Sequence, residues 1–187
     1  MKNIDHLLQM KNSINDLKDF NLSSSLIDDF SNKRVVFCTM GKSAFACRKA
    51  VYTARSFGLD WHDLDVCHAF HGDGGLIKKD DLLVFVSKSG NTKETVAVAK
   101  YFNQNKRFSI TSNLACDLKN YCEKNLFIEV KTEGSPFDLA PMISTTLYMI
   151  FLHCLICKVV ENKNIGIETF AKYHPGGSIG EILKNEK

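Results

Sequence analysis

The sequence predicts an α/β fold: a three-layer αβα sandwich with a central parallel sheet, preceded by two leading helices. Short apolar runs alternate with segments of helical periodicity along most of the chain, and turn residues separate them. The chain has 187 residues, which is enough for one domain with a substantial core and short for two. Alternating strands and helices form parallel sheets that helices cover on both faces. In such sheets ligands bind beyond the carboxyl ends of the strands.

Apolar side chains recur at helical spacing through residues 1–31, and the pattern breaks at 21–25, which predicts the two leading helices. Strands and helices then alternate. The predicted elements are, in order, a strand at 35–38, a helix at 43–57, a short strand near 60–65, a strand at 82–86, a helix at 92–103, a strand at 108–111, a short helix near 114–119, a strand at 126–130 and a helix from 141. We divide the single domain into leading helices at 1–33, an α/β core at 34–165 and an ordered but irregular arm at 166–187.

The composition indicates a globular protein without a nucleic-acid-binding surface. The apolar fraction is 44%, the formal net charge is +3, and the lysines are scattered among acids rather than gathered in a stripe. The cysteines number seven, an odd count, and most lie among apolar neighbours, which is typical of reduced thiols in a cytosol. The first residues lack the charged start and apolar block of a secretory signal. We therefore expect a cytoplasmic protein.

The helix from 141 contains the most apolar segment of the chain, residues 147–160. His153 and Lys158 interrupt it, and it is shorter than the ~20 residues of a membrane span, so we expect a buried helix and no membrane contact. A helix that is apolar on nearly every face is covered on more than one side, by its own sheet or by another subunit, which predicts a homo-oligomer. Cys154 and Cys157 have the spacing of a redox or metal pair. Because no second pair is nearby, we expect them to pack in the core.

The segment 87–94 has the layout of an anion site. It follows a predicted buried strand and opens a predicted helix, and Gly90 permits a turn with positive φ. The free N–H groups at the start of that helix then point outward beside the hydroxyls of Ser87, Ser89 and Thr92. A phosphate group is the natural occupant of such a loop.

The end of the first strand carries a second candidate group, Met-Gly-Lys-Ser at 40–43. Gly41 relaxes the turn, Ser43 can cap the next helix, and Lys42 projects at the carboxyl end of the strand. The segment lacks the first glycine and the four-residue spacer of a Walker loop, so we expect no nucleotide. A lysine in a loop is normally only solvated. Its place at the expected ligand edge makes Lys42 a candidate for the site as well.

A histidine pair and one acid are further candidates for polar contacts. His68 and His71 lie three residues apart, and a metal could use them with Asp65 or Asp73 as further ligands. No third nitrogen or sulfur completes a zinc pattern, so we expect no metal and prefer His71 as a polar contact to substrate. Glu94 falls in the first turn of the helix after the phosphate loop, where the helix dipole favours an acid. Because a bound phosphate would repel it, we expect Glu94 to turn toward the sugar end or a basic neighbour.

Glu133 and His174 lie in loops shaped by glycine and proline, the segments 132–136 and 173–177. Loops of this type position chemistry. Taken singly, each residue is typical of an ordinary surface position, and composition cannot assemble the two into one site.

Together these segments resemble a known family, the SIS-domain sugar-phosphate isomerases, and in particular the D-arabinose 5-phosphate isomerases. The matching segments are 40–43, 71–73, 87–90 with Glu94, 133–136 leading to 139–141 and 144–146, and 174–177. They occur in family order over residues 34–180, which is too long an ordered set for a chance match. The resemblance implies catalytic roles for Lys42, Glu94, Glu133 and His174. The residues expected to bind substrate are Gly41, Ser43, His71, Ser87, Ser89, Gly90, Asn91 and Thr92.

The chain departs from the family pattern at several positions. Asp65 stands where the family commonly has a histidine that can bind zinc, and His68 stands where an acid is usual, which argues against metal binding. Asn91 replaces the usual acid after Ser-x-Ser-Gly, and Pro-Phe-Asp-Leu-Ala-Pro at 136–141 replaces Pro-Leu-Gly-Leu-Ala-Pro. These changes could retune the sugar that is chosen. Many relatives carry paired regulatory CBS modules after this domain, whereas this sequence stops at Lys187, so we expect a free-standing isomerase domain.

The activity that the resemblance implies is the interconversion of D-ribulose 5-phosphate and D-arabinose 5-phosphate through an enediolate, without a cofactor. The phosphate loop would hold the phosphate, Glu133 is the leading candidate for the carbon base, and Lys42 would stabilise charge on oxygen. His174 would open the sugar ring or relay protons, while Glu94 and His71 would orient hydroxyls. Which acid takes the carbon proton stays open. In relatives the site is completed across subunits, so we expect a homotetramer whose C-terminal arms complete shared sites.

Two other functions stay open at this point. The same fold could isomerise another ketose phosphate, such as hexulose 6-phosphate or sedoheptulose 7-phosphate, although the pairing of the His71 and His174 segments favours arabinose 5-phosphate. A phosphosugar sensor would bind the ligand without a reaction. Such sensors usually carry a DNA-binding helix-turn-helix module, and residues 1–33 are too short and too weakly basic to supply one. Arabinose 5-phosphate is the usual precursor of 3-deoxy-octulosonate, the eight-carbon acid of bacterial surface polysaccharides.

Overall fold

The described part of the chain, residues 3–17 and 22–185 of a computed structural model, holds five parallel strands in one sheet. The strands are β1 (Val35–Thr39), β2 (Trp61–Asp65), β3 (Leu82–Ser87), β4 (Lys106–Thr111) and β5 (Lys124–Phe127). Their order across the sheet is β2-β1-β3-β4-β5, and every neighbouring pair is parallel. The predicted α/β class with a central parallel sheet is therefore confirmed.

Seven α-helices flank the sheet within the same described ranges. They are α1 (Asn3–Asn15), α2 (Ser24–Asn32), α3 (Gly41–Ser56), α4 (Lys93–Tyr101), α5 (Ile143–Asn162), α6 (Ile167–Tyr173) and α7 (Gly177–Asn185). Short 3-10 turns lie at Ala69–His71, Asp73–Leu76, Asp117–Asn120 and Pro136–Asp138. Helices α1 and α2 correspond to the two predicted leading helices. The predicted break between them begins at residue 21, which lies outside the described residues.

Helices cover both faces of the sheet, so the three-layer sandwich is confirmed as well. On one face α2, α3 and α5 pack over a core that includes Phe30, Phe37 and Trp61. The rings of Phe30 and Trp61 meet edge to face with their centroids 5.5 Å apart. On the other face α4 and the segment around Leu118 cover a second core that includes Phe85. Strand β3 is buried along its whole length because both of its faces are covered.

Two predictions about the later part of the chain were wrong in detail. Strand β5, predicted at 126–130, begins earlier because its ladder pairs Phe108 of β4 with Lys124 and Thr111 with Phe127. The short helix predicted near 114–119 is a single 3-10 turn at Asp117–Asn120. The ladder with β4 sets the start of β5, whereas the 3-10 turn lies where the Leu118 amide donates to the Gly90 carbonyl at 3.1 Å.

The C-terminal arm is helical rather than irregular. Up to residue 185 it consists of α6 and α7, which the turn at His174, Pro175 and Gly176 separates. Proline cannot continue a helix, and Gly177 adopts a φ of 69° where the chain turns into α7. The turn residues were recognised correctly, but the helices on either side of them were not.

Helix α5 has one buried face and one exposed face. Leu147, Phe151 and Leu155 are among the residues that face the core. The helix is long and apolar enough to cross a membrane by those two criteria alone, yet half of its apolar window is buried inside the fold, as in the core helix of a folded domain. Cys154 and Cys157 lie on the exposed face, so the prediction that they pack in the core was wrong. A helix that is apolar all round has no periodicity that shows which face turns inward.

Phe30 provides a test of the first core. Its side chain is 1% exposed, and its ring contacts Phe37, Trp61 and Phe108. We expect Phe30→Ala to lower the free energy of unfolding by about 3–5 kcal/mol, because it removes a buried ring and leaves a cavity. Urea unfolding followed by circular dichroism measures the change. The matched control is Phe137→Ala at a side chain that is 92% exposed, which should change the free energy by less than about 0.5 kcal/mol. Equal losses in the two variants would contradict the assignment.

Candidate active site

A cavity of about 260 Å³ opens beyond the carboxyl ends of β1 and β3. From β1 the chain crosses to β2 on one side, whereas β3 and β4 extend the sheet on the other side. Such a reversal opens a crevice at the strand ends, where ligands bind in folds of this order. The residues that line the cavity are Met40, Lys42, Ser43, Val86, Ser87, Lys88, Ser89, Thr92, Thr95 and Pro141. The predicted site residues that meet here are Lys42, Ser43, Ser87, Ser89 and Thr92.

Hydroxyl groups shape the loop from β3 to α4. The amide of Gly90 donates a hydrogen bond to the Ser87 hydroxyl at 3.2 Å, and the amide of Asn91 donates one to the Ser89 hydroxyl at 3.2 Å. The hydroxyl oxygens of Ser87 and Thr92 lie 3.0 Å apart. The loop is therefore pre-formed, and its hydroxyls already stand at the cavity.

Two glycines have the backbone angles that the predicted turns require. Gly41, at the start of α3, has a φ of 61°, and Gly90 has a φ of 63°, in the left-handed region that favours glycine. A Cβ atom at Gly90 would also lie 2.5 Å from the Cys116 sulfur, so the close approach of the two segments excludes a side chain. Next to it, the side-chain oxygen of Asn91 accepts a hydrogen bond from the amide of Asp117 at 2.8 Å. Asn91 thus anchors the loop, and only its side-chain NH₂ group is left for the predicted contact with substrate.

The Thr95 hydroxyl is a buried polar group directed to the same cavity. The residue is 0% exposed, lines the cavity, and its hydroxyl oxygen has no hydrogen-bond partner within residues 3–17 and 22–185. Buried polar atoms are rarely left unpaired. The first-turn amides of α4 also have no acceptor within the helix. A ligand oxygen in the cavity would therefore meet several donors at once.

The Glu133 carboxylate lies behind the cavity and is held from three directions. Its side chain is 1% exposed, and its Oε1 atom lies 2.7 Å from Nζ of Lys88, a cavity residue whose side chain is 43% exposed. Oε2 accepts hydrogen bonds from the amides of Met142 at 2.9 Å and Ser144 at 3.0 Å. The carboxylate therefore links the loop after β3 to the start of α5.

These contacts determine the charge of Glu133. Burial alone would raise the pKa of this carboxyl group, but the Lys88 ammonium group and the amides of Ser144 and Met142 outweigh it and hold the pKa below its usual value. On the backbone side, the Glu133 amide donates to a carboxylate oxygen of Asp138 at 2.6 Å. Glu133 is thus an ionised carboxylate in a nearly closed site.

His71 and Glu94 lie at the same edge of the sheet, outside the set of described residues that line the cavity. His71 ends the 3-10 turn after β2 and is exposed, and Glu94 is exposed on the first turn of α4. Desolvation, a hydrogen bond to Asp65 and the Glu94 carboxylate together raise the pKa of the Cys67 thiol. The charge of Glu94 therefore acts on the loop after β2, which also carries His71.

His174 lies at the opposite edge of the sheet. Its Nδ1 donates to the Phe170 carbonyl at 2.9 Å, and its ring stacks on Phe170 with centroids 4.0 Å apart. Phe170 in turn packs against Phe57, just after α3. Helix α3 begins at the cavity and has 16 residues, which corresponds to about 24 Å. Within one chain, the structure therefore does not bring His174 to Lys42 or Glu133.

Within residues 3–17 and 22–185, no group of three or more His, Cys, Asp or Glu side chains could hold a metal. Two of the residues considered as ligands lie near each other, and a third accepts a hydrogen bond from the backbone. Nδ1 of His68 lies 3.9 Å from the Asp73 carboxylate, and a carboxylate oxygen of Asp65 accepts the amide of Cys67 at 3.0 Å.

Sequence reasoning missed the two other polar residues that line the cavity, Lys88 and Thr95. Lys88 was passed over as the variable position of Ser-x-Ser-Gly, although it is the cation next to the predicted anion site. Thr95 stands three residues after Thr92 and thus on the same face of the helix start, a spacing that could have pointed to it. The contact between Lys88 and Glu133 had no signal in the sequence, because 45 positions separate the two residues.

Comparison with known proteins identifies the family of this chain. The SIS domain family matches residues 30–158 of the chain. The arabinose 5-phosphate isomerase KpsF of Escherichia coli is 34% identical over 151 residues, which cover 80% of this chain and 48% of that protein. The arabinose 5-phosphate isomerase KdsD of Pseudomonas aeruginosa is 35% identical over 152 residues, which cover 80% and 47%. The chain spans about half the length of the curated relatives it matches.

A solved structure shows the same fold. The E. coli CFT073 protein c3406, in complex with arabinose 5-phosphate, superposes with a TM-score of 0.85 at 28% sequence identity. The match covers 94% of this chain and 100% of that one. The family match spans most of the sheet and both loops of the cavity, and the chain therefore belongs to the SIS domain family.

Proposed function

We propose that this domain is an aldose-ketose isomerase that interconverts D-ribulose 5-phosphate and D-arabinose 5-phosphate through an enediolate. The observation that carries the proposal is the cavity at β1 and β3, where hydroxyl and amide donors stand beside Lys42, Lys88 and the ionised Glu133. The proposal also rests on the 34% and 35% identity to arabinose 5-phosphate isomerases, and on the likeness to a protein solved in complex with arabinose 5-phosphate.

The phosphate group of the substrate would lie against the loop between β3 and α4. The serine and threonine hydroxyls of the loop and the first-turn amides of α4 are donors suited to a dianion. A phosphate oxygen would give the buried Thr95 hydroxyl the partner that it lacks within the described residues. Lys42 and Lys88, both at the cavity, add two positive charges.

The reaction moves a proton between two carbon atoms and places negative charge on oxygen in the enediolate. In this proposal Glu133 removes the carbon proton, since its lowered pKa leaves it ionised at neutral pH. Lys42 stabilises the charge on oxygen. Groups of this kind typically contribute about 10²- to 10⁴-fold each. His71 and Glu94, at the same edge of the sheet, orient the sugar hydroxyls.

Ring opening or proton relay by His174 requires a second subunit, because His174 lies at the opposite edge of its own chain. We propose a homotetramer in which the arm of one subunit completes the site of another. Apolar surface for such contacts is present on α3, where Phe45 is 70% and Tyr52 is 55% exposed. The enzyme would act in the cytoplasm and supply the precursor of 3-deoxy-octulosonate for surface polysaccharide.

The second candidate is an isomerase of another ketose phosphate. The segment 136–141 differs from the family pattern and reaches the cavity through Pro141, so it could alter the choice of sugar.

Product analysis distinguishes the two candidates. The pure protein, incubated with D-ribulose 5-phosphate, should form D-arabinose 5-phosphate, identified by chromatography against authentic aldose phosphates. Parallel reactions contain hexulose 6-phosphate or sedoheptulose 7-phosphate, and a chelator should leave the rate unchanged. Conversion of another ketose phosphate alone would replace the proposed substrate. If no ketose phosphate is converted, the isomerase proposal is wrong.

Replacement of the proposed base should remove turnover and keep binding. We expect Glu133→Gln to lower kcat by about 10²- to 10⁴-fold, because an amide cannot accept the proton. Arabinose 5-phosphate binding, measured by calorimetry, should be largely kept. The matched control is Glu129→Gln, a carboxylate near the same loop that is 59% exposed, which should turn over normally. A folded Glu133→Gln protein with normal kcat would exclude Glu133 as the base.

Mixed oligomers test the shared site. Glu133→Gln and His174→Ala should each be nearly inactive alone. If one site takes the two residues from different subunits, co-refolded mixtures should recover about one active site in four at equal ratio, since each residue is drawn independently. Activity of the mixture is compared with the sum of the two variants refolded separately. A mixture no more active than that sum would contradict sites shared through His174.

A further inference from the structure

Two lysines, Lys42 and Lys88, line the cavity, and Lys88 forms an ion pair with the proposed base, Glu133. Lys88 lies between Ser87 and Ser89 of the anion loop and lines the cavity proposed for the phosphate. Its Nζ atom also lies 2.7 Å from Oε1 of Glu133. One ammonium group is thus within reach of two anions, a buried carboxylate and an entering phosphate.

The other partners of Glu133 cannot leave it. The amides of Met142 and Ser144 belong to the start of α5 and stay in place while that helix is folded. Lys88 is different, because its side chain is 43% exposed, long and flexible, whereas the Glu133 side chain is 1% exposed. Of the donors to Glu133, Lys88 is therefore the one that can turn to a ligand without unfolding the site.

We propose that Lys88 exchanges partners during the reaction: it pairs with Glu133 in the free protein and turns to the substrate's phosphate dianion when that binds. The inference rests on the proposed function, in which Glu133 is the base. Without the ammonium group, the buried carboxylate keeps its two amide donors and binds a proton more tightly. Substrate binding thus converts Glu133 from a weak base into a stronger one at the moment when the base is needed.

Among the described residues, the other ionisable groups near Glu133 are Asp138 and Tyr148, and their own titration does not account for a rise in the Glu133 pKa on substrate binding. Asp138 accepts the Glu133 amide, and the Thr132 hydroxyl and that amide hold the Asp138 pKa below its usual value, so Asp138 keeps its charge through the usual range of an aspartate. Tyr148, on α5, has its pKa raised to about 12 by burial, by Glu133 and by Cys47, against the effect of a hydrogen bond with Ser112, so it stays neutral. Two changes can therefore alter the electrostatic field at Glu133. One is movement of the Lys88 ammonium group, and the other is the binding of an anion in the cavity.

The pH profiles of the wild-type protein give the first test. An opposite charge at this distance lowers a carboxyl pKa by about one to three units. The acid limb of kcat/KM reports the free protein and the free substrate, whose phosphate has a second pKa of about 6, and the acid limb of kcat reports the complex. After correction for the separately measured substrate pKa, the Glu133 limb should lie at higher pH in kcat than in kcat/KM, by about one unit or more. In Lys88→Met the acid limb of kcat/KM should move to higher pH until it coincides with that of kcat, and KM should increase.

Two further variants serve as controls. Lys88→Arg should restore the wild-type order of the two limbs. Lys100→Met, at an exposed lysine at the other end of α4, should change neither limb nor KM.

A second readout needs no turnover. The Glu133 carboxyl group is observed by ¹³C NMR, assigned by comparison with Glu133→Gln, and titrated with and without saturating inorganic phosphate. Phosphate should raise the Glu133 pKa in the wild type, whereas in Lys88→Met the pKa should already be raised and phosphate should add little. Equal shifts in both proteins would show a direct field of the anion, and bound phosphate without a shift in the wild type would show a fixed ion pair; either result overturns the partner exchange, as does a wild type that binds no phosphate. If Lys88→Met does not fold, a wild type that binds phosphate without a shift still overturns the exchange. If phosphate raises the Glu133 pKa in the wild type but not in Lys88→Met, and the protein has no isomerase activity, the exchange is supported and the proposed function is refuted. If the protein is an active isomerase but phosphate does not raise the Glu133 pKa, the proposed function is supported and the exchange is refuted.

Discussion

The parallel pairing of β1 with β3 decides where the site lies. Val35 stands opposite Leu82 and Cys38 stands opposite Phe85, and both strands are buried along their length. This register places the two loops that follow the strands side by side. A shift by one residue would move one strand end by about 3.3 Å relative to the other, which is enough to break any contact made by both loops with one small ligand. The cavity is therefore a consequence of sheet pairing, and the loops supply its chemistry.

The Glu133 carboxylate makes the second long-range connection. It ties the segment after β5 to the start of α5 through two amides and to the loop after β3 through Lys88. Removal of Lys88 would cost less than the loss of a partner from a fully buried ion pair, because its side chain is 43% exposed and the carboxylate keeps its two amide donors. The same contacts that stabilise the carboxylate also weaken it as a base. Stability and chemistry therefore oppose each other at this residue, unless one of the contacts is released when a ligand binds.

The sequence was most informative about features that neighbouring residues determine, namely strands and turns. The apolar runs predicted the strands, and the hydroxyl and glycine pattern after β3 predicted a loop whose backbone angles the structure bears out at Gly90. It was least informative about which segments meet. The ion pair of Lys88 with Glu133 depends on the strand order, and the outward face of Cys154 depends on how a uniformly apolar helix is placed. The family motifs likewise assign His174 and Lys42 to one site, but they do not show that within a single chain these residues lie at opposite edges of the sheet.

The position of His174 constrains any role that it has in the chemistry. Because Nδ1 donates to the Phe170 carbonyl, the other ring nitrogen, Nε2, is the atom of the neutral ring that can accept a proton. Stacking on Phe170, which packs against Phe57, holds the ring at the end of α3 that is remote from the cavity. An isolated chain would therefore keep its phosphate loop, its lysines and Glu133 while its imidazole stayed out of reach. In the proposed homotetramer a second copy of the chain brings that imidazole to the sugar phosphate, so in this proposal oligomerisation serves catalysis as well as covering apolar surface.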